Sequence, residues 1–442
     1  MTEVDARELL DRPTSGLRRL VALGATMLLV AGCGIAGQSP TPAPTGTAGP
    51  TATVAPTSGS PSPTATAGGS PTAAPSPTQA PSPTEQPSPA GQLDFANWPL
   101  YIDIDDSGAY PTLDKFTAET GISVRYLEDI NDNEEFFGLV QPDLAAGNPT
   151  GYDLMVFTDW TVERMIRLGY LEPLDHSLLP TFAANAQELY LDPWYDPGNV
   201  YSIPYQSGIT GIAYNPTLTG REITSFDDLF DPEFAGRAGI FSEMRDTLCL
   251  TLLSMGVEPV TATIEQVQAA QQKLLEAAQR NQFRSDYGND YYDALAAGDL
   301  AITIAWSGDI SQMQLYDNAD VRFVVPETGG MLWVDNMVIP KGAAHPIDAH
   351  AMMDFWYDVE NATALTEYIG YFTPVSGVAE QVLEDAQTAR DEGDEEWAAQ
   401  LEVISQTAFP SNDQLQNVYT YPQLTEEEER TWNDLFNEVI AD

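Results

Sequence analysis

The sequence predicts an α/β protein of two lobes, and three observations carry that prediction. From Leu93 onward, short apolar runs alternate with amphipathic stretches of helical period, the rhythm of βαβ units around a mainly parallel sheet. After residues 201–215, "YSIPYQSGITGIAYN", the rhythm restarts. The span from Leu93 to Asp442 also exceeds what one hydrophobic core organises, so two compact lobes are expected.

The elements follow in order. Strands are expected at "LDFANW" (93–98), "ISVRYLED" (122–129) and "YDLMVFT" (152–158), with helices near 111–120, 133–146 and 159–169. The second series places strands at "AGIF" (238–241), "LAITIAW" (300–306) and "VRFVVP" (321–326), with helices near 244–255 and 262–280. Helices then cover about 346–369 and 380–405, and a last one starts near Thr425.

Ahead of the folded region, residues 16–33 read "GLRRLVALGATMLLVAGC". A basic pair, an apolar run too short to span a bilayer, and small residues before a cysteine make an export signal. Val30-Ala31-Gly32-Cys33 resembles the bacterial lipoprotein signal, which implies lipidation of Cys33 and removal of residues 1–32. Residues 34–92 are almost all Pro, Thr, Ser, Ala and Gly, with one charge, Glu85. Too few apolar side chains exist there to offset chain entropy, so 33–92 is expected to be a disordered tether. The membrane is then met through the lipid alone.

Sixty-six acids against 18 bases give a formal net charge of −48. Phosphate contacts need Lys and Arg, so nucleic acid is excluded as a partner. The charge suits solubility, salt and cationic ligands.

The stretch 329–340, "GGMLWVDNMVIP", puts Trp333, Asp335 and Met337 on one face of an otherwise apolar strand. A buried carboxylate is costly unless a cation or hydrogen-bond donor meets it. Trp98, Thr158, Trp160 and Trp306 each fall at a predicted strand end, where ligands sit in α/β lobes. A core plug accounts for any one of them; four together favour a cleft.

At this point the residues resemble a known family, the spermidine/putrescine-binding proteins of ABC importers, within the periplasmic-binding-protein superfamily. The similar segments run in order: "NWPLYI" (97–102), "FTAETGISVRY" (116–126), "GYDLMVFTDWTVERMIRLGYLEPLD" (151–175), "YSIPYQSGITGIAYN" (201–215), "SFDDLFDPEFAGRAGIF" (225–241), "GDLAITIAWSGD" (298–309), "GGMLWVDNMVIP" (329–340) and "IGYFTPVSG" (369–377). The resemblance implies a type II two-lobe fold with a hinge, and a polyamine ligand delivered to an ABC permease. It divides the chain into lobe one, 93–205 plus 337–442, and lobe two, 206–336. No cofactor or metal is implied, and a monomer is expected.

Residue by residue, the resemblance carries the family's binding aromatics onto Trp98, Tyr101, Trp306, Trp333 and Tyr371. Its Ser-x-aromatic becomes Thr158 and Trp160, and its acid pair becomes Glu243 and Asp246 of "SEMRD". Asp335 would then meet a ligand ammonium beside Trp333. Protonated amines want carboxylates, and the methylene runs between them want aromatic faces. Arg245 is the one base expected among these acids. Leu100 stands where family members often carry an acid, which suggests a shorter or less charged cation.

Three rivals are weighed, of which a tethered adhesion or scaffold lipoprotein suits the Thr/Pro-rich stretch but not the cleft of aromatics and acids. Tyr291-Tyr292 could serve Fe(III) in the same superfamily, but the dipeptide reads better as a packed helix face. An enzyme using paired carboxylates lacks any accompanying nucleophile, zinc or phosphate motif, and Cys249 in "LCLTLL" reads as core. A binding protein, not an enzyme, is expected.

Overall fold

The computed structural model describes residues 88–105, 107–409 and 414–440. The expected signal peptide 1–32, Cys33 and the tether as far as Pro87 lie outside the described residues. The described residues begin at 88, inside the expected tether of 33–92. The backbone N–H groups of Ala90, Gly91 and Gln92 all donate to the buried Asp348 carboxylate.

Among the described residues there are ten strands: β1 (Gln92–Ala96), β2 (Ser123–Leu127), β3 (Leu154–Thr158), β4 (Ser202–Tyr214), β5 (Ala238–Phe241), β6 (Phe283–Tyr287), β7 (Ile302–Trp306), β8 (Arg322–Val324), β9 (Gly330–Val338) and β10 (Val418–Thr420). The α-helices of the first half are α1 (Pro111–Thr120), α2 (Asn133–Ala146), α3 (Asp159–Leu168), α4 (Pro180–Asn185), α5 (Pro216–Thr219), α6 (Met244–Ser254) and α7 (Ile264–Ala278). Those of the second half are α8 (Tyr291–Ala296), α9 (Ser307–Tyr316), α10 (Pro346–Phe355), α11 (Val359–Ile369), α12 (Val378–Glu392), α13 (Glu395–Thr407) and α14 (Glu426–Ile440).

The sheet order is β2-β1-β3-β9-β4-β7-β5-β6, with β10 on β9 and β8 on β4. Within each end the pairs β1–β2, β1–β3, β5–β6 and β5–β7 are parallel, as βαβ rhythm requires. The middle is not. β9 pairs antiparallel with β3 and β4, and β4 pairs antiparallel with β7, so the expected mainly parallel sheet is mixed. The reason is topological: β4 and β9 carry the chain between the halves in opposite directions. All thirteen residues of β4 are buried, which a strand crossing the interior on both faces demands.

Two helices expected as single pieces are each two. The 346–369 run breaks where Asp358 caps α11, its side chain accepting from Glu360 and Asn361 N–H. The 380–405 run breaks where the Asp394 side chain accepts from Trp397 N–H to start α13. A local cap ends each periodic stretch that apolar spacing alone would join. At the C-terminus, α14 packs against α7 and α6. Among the described residues, no helix is long and apolar enough to cross a membrane.

Candidate functional site

Strands from both halves aim their carboxyl ends at one place. Trp98 follows β1, Thr158 ends β3, Glu243 follows β5, Trp306 ends β7, and β9 contributes Trp333 and Asp335. With Tyr101, Trp160, Asp246 and Tyr371 they line a single cavity. All ten residues expected from the sequence are therefore brought together. Pro99, Asn133, Asn289, Asp309 and Tyr421 complete the wall and were not anticipated.

Asp335 meets two hydroxyls. Thr158 Oγ1 donates to its Oδ1 at 2.8 Å and the Tyr101 phenol to its Oδ2 at 2.9 Å. Burial still pushes its carboxyl up to about 7, with the negative Asp246 adding to the rise and the two hydroxyls opposing it. Burial likewise pushes Asp246 up to about 6, although Tyr421 donates to it. Glu243 is raised too, first by burial and then by Asp132 and Asp246. Its Oε2 accepts from Asn133 Nδ2 at 3.0 Å, while its Oε1 is buried without a partner. Asp309 is clamped by the phenols of Tyr291 (2.9 Å) and Tyr371 (2.7 Å).

Four carboxylates thus share a cavity whose lining contains no Lys, Arg or His among the described residues. Arg245, expected among these acids, turns away. It donates to Pro422 O at 2.8 Å and to Glu429 at 2.7 Å. Its charge satisfies another part of the molecule. Asp309 adds a carboxylate to the wall beyond those expected from the sequence.

Aromatic rings fill the remaining wall. Trp98 meets Trp306 edge-on at 5.9 Å, and Tyr371 lies 5.4 Å from Trp333 and 5.1 Å from Tyr101. Two glycines permit these positions. A Cβ on Gly208 would stand 2.5 Å from the Trp333 ring, and one on Gly308 would stand 2.3 Å from the Tyr371 ring. The indole N–H groups of Trp98 and Trp333 are buried without partners. Buried donors and acceptors left unmade are costly, and a ligand that engages them recovers part of that cost. Leu100 holds the loop between Trp98 and Tyr101 at φ 60°, a left-handed conformation that a leucine rarely adopts.

The two sides of the cavity are in contact. Ser242 Oγ donates to Asp132 at 2.8 Å, Asn133 reaches Glu243, and Asn289 N–H donates to the Asn131 side chain at 3.0 Å. Gln312 Nε2 donates to Leu100 O at 3.2 Å. The cleft is shut.

Tyr291 and Tyr292 do not act as a pair, since Tyr291 donates to Asp309 and Tyr292 to Asp317. Burial raises the Tyr291 phenol, opposite to what a tyrosinate metal ligand needs. Cys249 is fully buried and its thiol is pushed up, the reverse of an activated nucleophile.

Residues 112–393 match the family of bacterial extracellular solute-binding proteins. The chain is 32% identical over 262 residues to spermidine/putrescine-binding periplasmic protein 1 of Haemophilus influenzae, covering 59% of this chain and 71% of that one. It is 31% identical over 297 residues to a putrescine/cadaverine-binding protein of Pseudomonas aeruginosa, covering 64% and 80%. Among solved structures, it is similar to a spermidine/putrescine ABC transporter substrate-binding protein of Streptococcus pneumoniae. That likeness has a TM-score of 0.61 at 29% identity and covers 79% of this chain and 98% of that one.

Proposed function

Since the chain belongs to the bacterial extracellular solute-binding proteins, within the spermidine/putrescine-binding family, we propose that it captures a linear polyamine between its lobes for an ABC importer. One observation carries the ligand class: four buried carboxylates interleaved with aromatic rings, and no basic side chain in the wall. Each ammonium gains a charge-assisted hydrogen bond worth about 1.5–3 kcal/mol, and each cation–π contact adds roughly 0.5–2 kcal/mol. Asp335 is bonded to Tyr101, Asp309 to Tyr371 and Asp246 to Tyr421, so carboxylates and aromatic rings alternate along the wall. This arrangement supports a ligand whose ammonium groups are separated by methylenes.

In this reading Trp98, Tyr101, Thr158, Trp160, Glu243, Asp246, Trp306, Trp333, Asp335 and Tyr371 bind ligand, joined by Asp309, and no covalent chemistry occurs. Lobe one comprises 93–205 plus 337–409 and lobe two 206–336, and the packing of α14 on α6 and α7 supports giving α14 to lobe two. The protein works as an exported monomer held to the outer face of the cytoplasmic membrane by a lipid on Cys33. Cys33→Ala then frees it from membranes in detergent partition without changing its fold.

Mass spectrometry of small molecules released on denaturation tests the ligand class. Calorimetry with putrescine, cadaverine, spermidine and Fe(III) accompanies it. Recovery of an intact polyamine is the expected result. Tight binding of Fe(III) alone, or recovery of a chemically altered amine, defeats the reading.

A further inference from the structure

Glu429, on the first turn of α14, is buried, and one of its oxygens serves two arginines from different lobes. Arg164 of α3 donates to Glu429 Oε1 at 2.6 Å, and Arg245 of α6 donates to the same atom at 2.7 Å. Arg167, also on α3, lies 3.5 Å from Oε2. Both guanidinium groups that share Oε1 also lie over the Trp160 ring, Arg245 at 4.6 Å and Arg164 at 5.4 Å from its centroid. Trp160 lines the ligand cavity.

We propose that Glu429 is a positioning residue for ligand capture, a strap that draws Arg164 of lobe one and Arg245 of lobe two together beside Trp160 and so holds the cleft shut. The inference rests on the two-lobe capture reading above. Because α14 packs on α6 and α7, Glu429 travels with lobe two and keeps Arg245 throughout. Opening separates it from Arg164. That arginine is not stranded, because Glu134 on its own lobe holds Nη1 at 2.8 Å. The strap therefore breaks at one defined contact, and buried charge pairs of this kind act mainly on dissociation.

The test uses the full chain as Arg164→Met, as Glu429→Gln and as both together. Arg164→Met keeps the apolar stem and leaves Glu429 paired with Arg245, so it remains informative if Glu429→Gln folds poorly. Fluorophores on cysteines replacing exposed Leu139 of α2 and Val260 beyond α6 report lobe separation, and stopped flow reports putrescine release. The expected result is putrescine dissociation faster by about tenfold in Arg164→Met, with association changed less than about twofold. The closed fraction falls with and without ligand, and the double variant is no worse than the worse single one. Unchanged dissociation together with an unchanged closed fraction overturns the strap, as do strictly additive effects. A loss confined to association also overturns it, since that marks a charge effect on encounter. If the wild type binds neither putrescine nor spermidine, the capture reading fails, while lobe separation in the three variants still decides the strap.

Discussion

Buried acids on the two sides of Trp160 behave in opposite ways: several line the ligand cavity, and one, Glu429, joins the two arginines that lie over the Trp160 ring. In the ligand cavity, Asp335, Asp246 and Glu243 have no basic neighbour in the wall, and burial pushes all three upward. Behind it, Glu429 is also buried, yet Arg164 and Arg245 hold its carboxyl below the ordinary range despite that burial. An acid given its counter-charge by the chain is part of the architecture. An acid denied one is waiting for a cation from outside.

The sharpest contrast is in stability. Glu429→Gln leaves two guanidinium groups without their shared carboxylate and should cost about 3–5 kcal/mol, seen as a large fall in melting temperature. Equivalent neutralisation in the cavity should not. If Glu429→Gln melts with the wild type, the division between the two groups collapses.

Next in size is Gly308→Ala. Its Cβ would enter the Tyr371 ring at 2.3 Å, so the ring that clamps Asp309 must move. Overpacking of this kind costs roughly 1–3 kcal/mol, and most of it should appear in polyamine affinity measured by calorimetry. Full affinity would mean that Tyr371 is only a cover.

The smallest effect concerns protons. Asp335 and Asp246 are raised from 3.8 to about 7 and about 6 in the fold. A raised folded value means their protonated forms stabilise the free protein below about pH 4, and that contribution is lost as pH rises through 6 to 7. A bound ammonium favours the ionised forms. Polyamine binding near pH 6 should therefore release on the order of one proton, and affinity should climb between about pH 5 and 7.5. Calorimetry in buffers of different ionisation heat measures this; zero release at pH 6 contradicts it.

Much of this was legible in the sequence, for physical reasons that differ by element. Strands buried on both faces, such as 154–158 and 202–214, announce themselves as continuous apolar runs. Trp98, Thr158 and Trp306 of the cavity stand at or just past strand ends, where local pattern and family resemblance coincide. Asp309 was overlooked although it lies three residues after Trp306, a spacing that puts both on one side of a starting helix. Tyr421 and Asn133 carry no such signal, because only long-range folding brings them to the cavity. The side to which Arg245 turns was equally hidden. Sequence places it between two acids, but Glu429, 184 residues away, decides its direction. The antiparallel middle of the sheet escaped for the same reason, since strand direction across a crossing is a property of the whole chain.

Asp335→Asn is the most direct test, measured for spermidine affinity and for the melting temperature of the ligand-free protein. The substitution keeps shape and most hydrogen bonding but removes the charge. Affinity should fall by about 1.5–3 kcal/mol, roughly ten- to a hundredfold, while the free protein melts at the same temperature or higher. A destabilised variant that binds spermidine as tightly as the wild type would contradict the claim that Asp335 is held for a ligand.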